Sequence, residues 1–332
     1  MSLLREVSKV LYKTGACRIF LIKKYGFKVR FFPTKISRRL WVDSFENRGV
    51  YQLADRFFLF YLKPAQVVVD VGANIGYYTL LSADKVGEMG AVYAFEAHPK
   101  SFKYLNKNVQ LNNFRQVSTF STALGNYSGF VRFSDRSKDD MNEVTDAGGI
   151  EVPIDTLDHK LKDVSEIDLL KIDVEGYEKY VFLGAEKTLK KTKTIFFEAW
   201  DDHFSKYGYS LQDIFSILSP HGFSYFLNDK DGYKKINESF IASTCVDIIA
   251  TKIPELFRLL KALWCLMPKT EKQWLENTIG LLAFRQSKNM LNGEKDFPGS
   301  FHAKKALLIH ISKGAGSSNY DLVYDDGCCY GI

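Results

Sequence analysis

Asp70, Gly72, Asn74 and Gly76 stand at every second position directly after the apolar run Val67-Val68-Val69. A strand that ends in an acid and turns through glycine into a helix delivers a ligand to the carboxyl edge of a parallel sheet. Gly72 permits a sharp turn and a close backbone approach to that ligand. Gly76 lets the following helix pack tightly on the sheet. A pyrophosphate-binding turn needs G-x-G-x-x-G, and only two of its glycines, four apart, are present. An acid at Asp70 also sits poorly beside a pyrophosphate. It suits a cationic head, such as the amino group and sulfonium of S-adenosylmethionine. Glu96 ends the next apolar run, 26 positions after Asp70. An acid at about that distance (roughly 20 residues beyond the glycines) accepts hydrogen bonds from both ribose hydroxyls. His98, beside it, is a lone loop histidine of the kind that is more often incidental.

These residues need a frame. The run at 67–69 fits a strand covered on both faces. Further strands read at 91–95, 117–121, 167–172, 194–197, 223–227 and 245–250, with helices at 77–85, 178–189 and 211–218. Phe102, Leu105 and Val109 recur at helical spacing. Strand and helix alternate as crossover units do, which predicts an α/β fold with a mainly parallel sheet. The polar insert at 127–153 reads as a hairpin plus a loop. At the N-terminus, Leu3, Leu4, Val7, Val10 and Leu11 predict an amphipathic helix ended by Gly15. Phe27, Val29 and Phe31, alternating with Lys28 and Arg30, predict a strand. Beyond Pro254, helices read at 255–267 and 271–286, the second opened by Thr270 with Gln273 in capping-box spacing. The tail from Gly314 is Gly/Ser-rich and expected to fray.

The order Asp70-Val71-Gly72-Ala73-Asn74-Ile75-Gly76, Ala94-Phe95-Glu96, Asn108-Val109-Gln110-Leu111-Asn112 resembles the FkbM family of S-adenosylmethionine-dependent methyltransferases. The likeness continues at Thr122-Ala123-Leu124-Gly125, Ile154-Asp155-Thr156-Leu157-Asp158, Leu170-Lys171-Ile172-Asp173-Val174-Glu175-Gly176-Tyr177-Glu178, Leu183-Gly184-Ala185 and Phe197-Glu198. It spans roughly residues 66–200, and the Ile-Asp-Val-Glu-Gly block is its most specific piece. Ala97 departs from the family, which usually has proline after the acid; that alters loop stiffness. The resemblance implies a Rossmann-like class I methyltransferase: a seven-stranded, mostly parallel sheet with helices on both faces and its last strand antiparallel. It implies S-adenosylmethionine as cofactor, cradled by Asp70, Gly72, Asn74, Gly76 and Glu96, with Thr122 and Ala123 on the adenine side. It also implies methyl transfer to a hydroxyl, often on a sugar or polyketide-type product.

In such a fold the loop after the fourth strand faces the methyl group. Methyl transfer from a sulfonium is an in-line displacement, so the protein positions the nucleophile and excludes water. A hydroxyl acceptor benefits from a base that takes its proton. Asp173 and Glu175 are the first candidates and His203 the next, with Glu198 ending the adjacent strand. Their closeness could raise one carboxylate's pKa or hold a divalent cation, although no metal ligand is assigned. The competing reading has Asp173 or Glu175 merely capping the next helix.

Composition sets the outer bounds. The chain has 332 residues, 46% hydrophobic and 25% charged, which fits a globular protein and excludes a disordered or collagen-like one. Its net charge of +6 is local: residues 1–40 carry eleven basic groups against Glu6 alone, and the remainder is net acidic. Those 40 residues could rest on an anionic membrane surface, attract an anionic substrate or form a solvated face. Five scattered cysteines show neither metal-ligand spacing nor a disulfide framework, which points to a reducing compartment. No apolar run reaches about 18 residues, so a cytoplasmic protein, peripheral at a membrane at most, is expected. Cys329-Tyr330-Gly331-Ile332 lacks the aliphatic pair of a prenylation signal. The expected division is a basic extension at 1–60, a methyltransferase domain at 61–252 and a helical appendage at 253–332. A nucleic-acid partner is disfavoured by the acidic sheet domain and by the lack of a proline pair after Asp173. A dinucleotide-dependent oxidoreductase is disfavoured by the missing glycine. The acceptor is expected to be a small molecule or glycan. The alternative is a catalytically inactive cofactor-binding module acting in assembly or at a membrane.

Overall fold

The computed structural model describes residues 7, 10, 13, 14, 21–46, 52–136, 142–146, 149–229, 232–266, 310–313 and 320–323. The chain divides into two compact units, Met1–Cys265 and Leu266–Ile332. The first unit is built on an eight-stranded sheet. Its strands are β3 (Val67–Val71), β4 (Ala91–Phe95), β5 (Val117–Phe120), β9 (Ile167–Ile172), β10 (Thr192–Ala199), β11 (Ser224–Asp229), β12 (Gly232–Ile236) and β13 (Val246–Thr251). Their order is β12-β11-β13-β10-β9-β3-β4-β5. β5, β4, β3, β9 and β10 are parallel, and β13 enters antiparallel between β10 and β11. The parallel core and the antiparallel final strand agree with the sequence reading. The eighth strand, β12, is an addition: it pairs antiparallel with β11 across a tight connection.

The chain winds outward from β3 to β5, then returns to lay β9 on the other side of β3. The connections therefore diverge between β3 and β9, and a crevice opens at that switch point outside the strand ends. Side chains alternate across the sheet. Val68, Phe196 and Ile249 join one apolar layer with Phe57, Phe58, Leu80 and Leu81. Val69, Phe197 and Ile248 join the opposite layer with Val181, Phe182, Ile214 and Phe215.

Helices α1 (Lys35–Glu46) and α2 (Gln52–Tyr61) precede β3, in a region read only as a basic extension. Phe57, Phe58 and Tyr61 pack into the same layer as Val68. A hairpin of β1 (Leu21–Lys24) and β2 (Phe27–Arg30) lies before them, extending the strand expected around Phe27. Asp55 ties these parts together: it is fully buried and accepts hydrogen bonds from the Tyr25 (2.9 Å) and Tyr77 (2.7 Å) hydroxyls, with the Lys24 ammonium at 3.0 Å.

The insert forms the expected hairpin, β7 (Gly129–Phe133) against β8 (Ile150–Asp155), with the two-residue β6 (Ala123–Leu124) on its other side. The helix expected over 178–189 is two, α6 (Glu178–Leu183) and α7 (Glu186–Lys190). The break follows from close packing at Gly184, where a Cβ would lie 1.9 Å from the Gly125 carbonyl oxygen. Asp158 then accepts from the Lys187 and Thr188 amides at 2.9 and 2.7 Å, satisfying the start of α7. At the N-terminus only residues 7, 10, 13 and 14 of the expected helix are described, all helical, with Val7 and Val10 exposed.

After β13, α10 (Leu256–Leu266) matches the first of the two C-terminal helices; the second lies outside the described residues. Within the second unit, β14 (His310–Lys313) pairs antiparallel with β15 (Tyr320–Val323). The second strand of that ladder lies in the tail where fraying was expected. Asp55→Ala would strand the Lys24 ammonium and two tyrosine hydroxyls. It is expected to lower unfolding free energy by about 3 kcal/mol, measured as a shift of the urea midpoint with an unchanged slope.

Candidate functional site

The crevice at the strand tips is a cavity of about 750 Å³, within the roughly 300–1,000 Å³ typical of small-ligand sites. Gly72, Asn74, Glu96, Thr122, Ala123, Asp173, Glu175 and His203 line it; Asp70 and Gly76 do not. The structure thus brings most of the sequence-derived candidates to one cavity and sets two of them behind its wall.

The turn after β3 is held by the Gly72 and Ala73 amides, which donate to the Phe95 carbonyl at 3.0 and 2.9 Å. Gly72 has φ +76°, and a Cβ there would lie 1.8 Å from the Asp173 carbonyl oxygen. Its glycine is needed for the tips of β3 and β9 to touch, a protein contact that adds to its place in the cavity lining. Gly76, φ +94°, precedes α3 (Tyr77–Val86), and a Cβ there would meet Leu105 at 2.6 Å. Leu105 belongs to α4 (Pro99–Leu111), so Gly76 admits a neighbouring helix.

Asp70 is 1% exposed. Its Oδ2 accepts from the Thr79 hydroxyl at 2.6 Å, and its Oδ1 lies 3.1 Å from the Lys171 ammonium. Lys171, buried in β9, also donates to the Gly72 carbonyl at 3.0 Å and stands 3.6 Å from Asp173 Oδ2. Burial works against its charge, but the Asp70 and Asp173 carboxylates outweigh that and raise its pKa above the ordinary lysine value. The grip on a cationic ligand expected of Asp70 is thus occupied by a lysine of the same chain. Sequence reasoning gave Lys171 no role; its signal was a lone charge pair, Asp168 and Lys171, in a strand buried at every position.

Glu96 is held from both sides. Its Oε2 accepts from the Asn74 amide at 2.7 Å and its Oε1 from the His98 amide at 2.8 Å. Burial pushes its pKa up to about 7 against the pull of those two amides. The second lone pair of each oxygen fits two adjacent ribose hydroxyls, so the residues present suit an adenosyl ligand. Thr122 spends its hydroxyl on the Pro153 and Ala123 carbonyls, both at 3.1 Å. His98 caps α4 and reaches Asp135 at 3.1 Å; it does not line the cavity.

Neither Asp173 nor Glu175 caps the next helix, which has no side-chain cap; the turn before it is held instead by Glu178. Its Oε1 accepts from the Val174 and Gly176 amides at 3.0 and 3.4 Å, and burial pushes its pKa up to about 8. Asp173 and Glu175 line the cavity. Glu175 adopts φ 57°, and Gly176 after it, φ +103°, lies against the His203 carbonyl and the Tyr207 ring. His203 Nδ1 stands 3.6 Å from Glu175 Oε2, and the ring packs on Trp200 at 4.3 Å. Burial lowers the His203 pKa, so the imidazole is neutral at pH 7.

Three further residues line this side: Glu198, Asp247 and Asn228, opposite one another on β10, β13 and β11. Burial, then the Asp173 charge, raises Glu198 to about 7; burial, then Glu198, raises Asp247 to about 8. Asp247 and Asn228 escaped the sequence reading because only the antiparallel insertion of β13 brings them beside Glu198.

Strand order and site together fit a Rossmann-like methyltransferase sheet with a crevice suited to an adenosyl cofactor. Residues 70–225, just under half of the chain, match the model of the methyltransferase FkbM domain. It is similar to the hexuronic acid methyltransferase AglP of Haloferax volcanii, 25% identical over 207 residues that cover 60% of this chain and 83% of AglP. It is also similar to the AMB antimetabolite synthetase AmbE of Pseudomonas aeruginosa, 26% identical over 49% of this chain. That match spans only a tenth of AmbE's length. Among solved structures, TYW2 of M. jannaschii in complex with AdoMet is 20% identical, covering 70% of this chain and 84% of that one at TM-score 0.36. A putative rRNA-methylase from Clostridium thermocellum covers 61% and 96% at 12% identity and TM-score 0.39.

Glu96, Glu178 and Asp247 hold protons in the fold at pH values where the unfolded chain has released them. Their stabilising effect is complete below the ordinary carboxylate range and is lost as pH rises to about 8. The ligand-free protein is therefore expected to melt at a lower temperature at pH 8.5 than at pH 5.5, by calorimetry, and Glu178→Gln should shrink the difference.

Proposed function

We propose that this methyltransferase transfers the methyl group to a hydroxyl oxygen on a sugar, glycan or related small metabolite. The observation that carries the reading is the acceptor side of the cavity, where Asp173, Glu175, Glu198 and His203 gather groups that accept hydrogen bonds or protons. The same acidic lining repels a phosphate backbone. The similarity to AglP, a hexuronic acid methyltransferase, supports a sugar acceptor.

When bound, S-adenosylmethionine supplies an electrophilic methyl on a cationic sulfur. Gly72, Asn74 and Glu96 hold it, Glu96 through the ribose hydroxyls, with Thr122 and Ala123 along the adenine. Asp70 and Gly76 serve indirectly, Asp70 through Lys171 and Gly76 through the seating of α3. Asp173, 39% exposed at its side chain and 3.6 Å from the Lys171 ammonium, takes the proton of the acceptor hydroxyl as the new bond forms. Glu175 and neutral His203 orient the acceptor. Methyl transfer is assigned to residues 61–252 together with the hairpin and helices before them that pack into the same apolar layer; the basic residues of 1–40 suit contact with an anionic membrane surface, and 253–332 is an appendage. Among the described residues no helix is long and apolar enough to cross a membrane.

Incubating the full chain with methyl-labelled cofactor and a panel of neutral and acidic glycans, polynucleotides and amines tests the reading. Label is expected in an alkali-stable ether on a glycan or small polyol. Asp173→Asn should bind the demethylated cofactor within about threefold of the parent while transfer falls by roughly 100-fold. Label appearing only in polynucleotide or amine, or undiminished transfer by the variant, would refute it.

A further inference from the structure

We propose that Glu175, Glu198 and His203 bind one divalent first-row transition cation on the acceptor side of the cavity. One carboxylate oxygen from each glutamate and one imidazole nitrogen all lie within 4.8 Å of one another. Ligand atoms bound to one such cation at about 2.1 Å stand no more than roughly 4 Å apart, so a side-chain adjustment of under about 1 Å gathers them. The three come from separate places: the loop after β9, the end of β10, and α8 (Asp201–Ser205). Each is braced by a neighbour. Trp200 packs on the His203 ring. Cys245 Sγ lies 3.0 Å from Glu198 Oε1 and occupies one lone pair. Gly176 brings the Glu175 loop against the His203 backbone.

Two independent observations call for a ligand here. Asn228, 4% exposed, lines the same cavity with its amide oxygen unmatched by any donor among the described residues. The lining also carries six carboxylates, of Glu96, Asp173, Glu175, Glu198, Asp229 and Asp247, against the cationic side chains of Lys171 and Arg39. Lys171 is already engaged by the buried Asp70, so carboxyl groups outnumber the cations left to compensate them. A mixed imidazole and carboxylate set suits manganese, iron or zinc better than calcium, which takes oxygen ligands. Three protein ligands leave coordination positions open, where two neighbouring hydroxyls of an acceptor would chelate and the reacting one would lose its proton more readily. That use of the cation rests on the hydroxyl-methylation reading; its binding does not.

The test is a titration of the full chain, stripped with chelator, with Mn²⁺ followed by electron paramagnetic resonance. Saturable binding of one equivalent is expected, with pulsed spectra showing ¹⁴N coupling from one imidazole. His203→Gln should abolish the coupling, Glu198→Gln should weaken binding tenfold or more, and the distant Glu186→Gln should change neither. No saturable binding below about 1 mM, or binding by the parent protein without ¹⁴N coupling, overturns the proposal whether or not the variants fold. Methyl transfer is read separately by the label assay, so loss of one result leaves the other standing.

Discussion

A buried charge pair between neighbouring strand tips is the constraint on which the site depends. Asp70 and Lys171 are about one hundred residues apart in sequence, yet they meet at 3.1 Å with side chains almost wholly excluded from solvent. Removing one partner of such a pair leaves an uncompensated charge in a low-dielectric interior, at a cost of about 3–5 kcal/mol. The pair therefore fixes β9 against β3 in one register. Lys171 also reaches the Gly72 carbonyl, so the same ammonium sets the turn that borders the cavity. Gly72 completes the joint, since only a residue without Cβ allows the Asp173 carbonyl to come so near.

From that joint the cavity divides into two electrostatic halves. On one side Glu96, pinned by two backbone amides, presents a carboxyl suited to a nucleoside. On the other, carboxyl groups on β10 and β13 crowd beside Asp173 and push one another toward protonation. A confined, partly dry space crowded with carboxyl groups favours a cationic occupant. A sulfonium cofactor meets that condition, and an acceptor that is neutral or chelated to a cation fits beside it better than a phosphate chain.

Much of the scaffold was legible because buried parallel strands write themselves as apolar runs, and crossover helices carry a 3.6-residue period. The strands at 67–69, 91–95 and 167–172 read correctly for this reason. Glu96 was legible through its distance from the glycines. The failures have local causes. Helices α1 and α2 hid in a segment dominated by its charge, where aromatic residues such as Phe57 and Phe58 signal burial without showing a period. The single helix expected over 178–189 broke because Gly184 packs on Gly125, a contact invisible to any local pattern. Asp70 looked like a ligand-binding acid because nothing in its neighbourhood along the chain announced Lys171.

The sequence by itself determined the α/β architecture, the glycine turn after β3 and the acid at the end of β4, since each depends on residues close together in the chain. Tertiary structure alone decided what those residues face. It turned Asp70 inward to a lysine, tied the turn after β9 to Glu178, and set Asp247 and Asn228 beside Glu198 by inserting β13 antiparallel. The physical reason is that charge compensation acts through space: whether a carboxylate is free for a ligand depends on which cation the fold brings within a few ångströms of it.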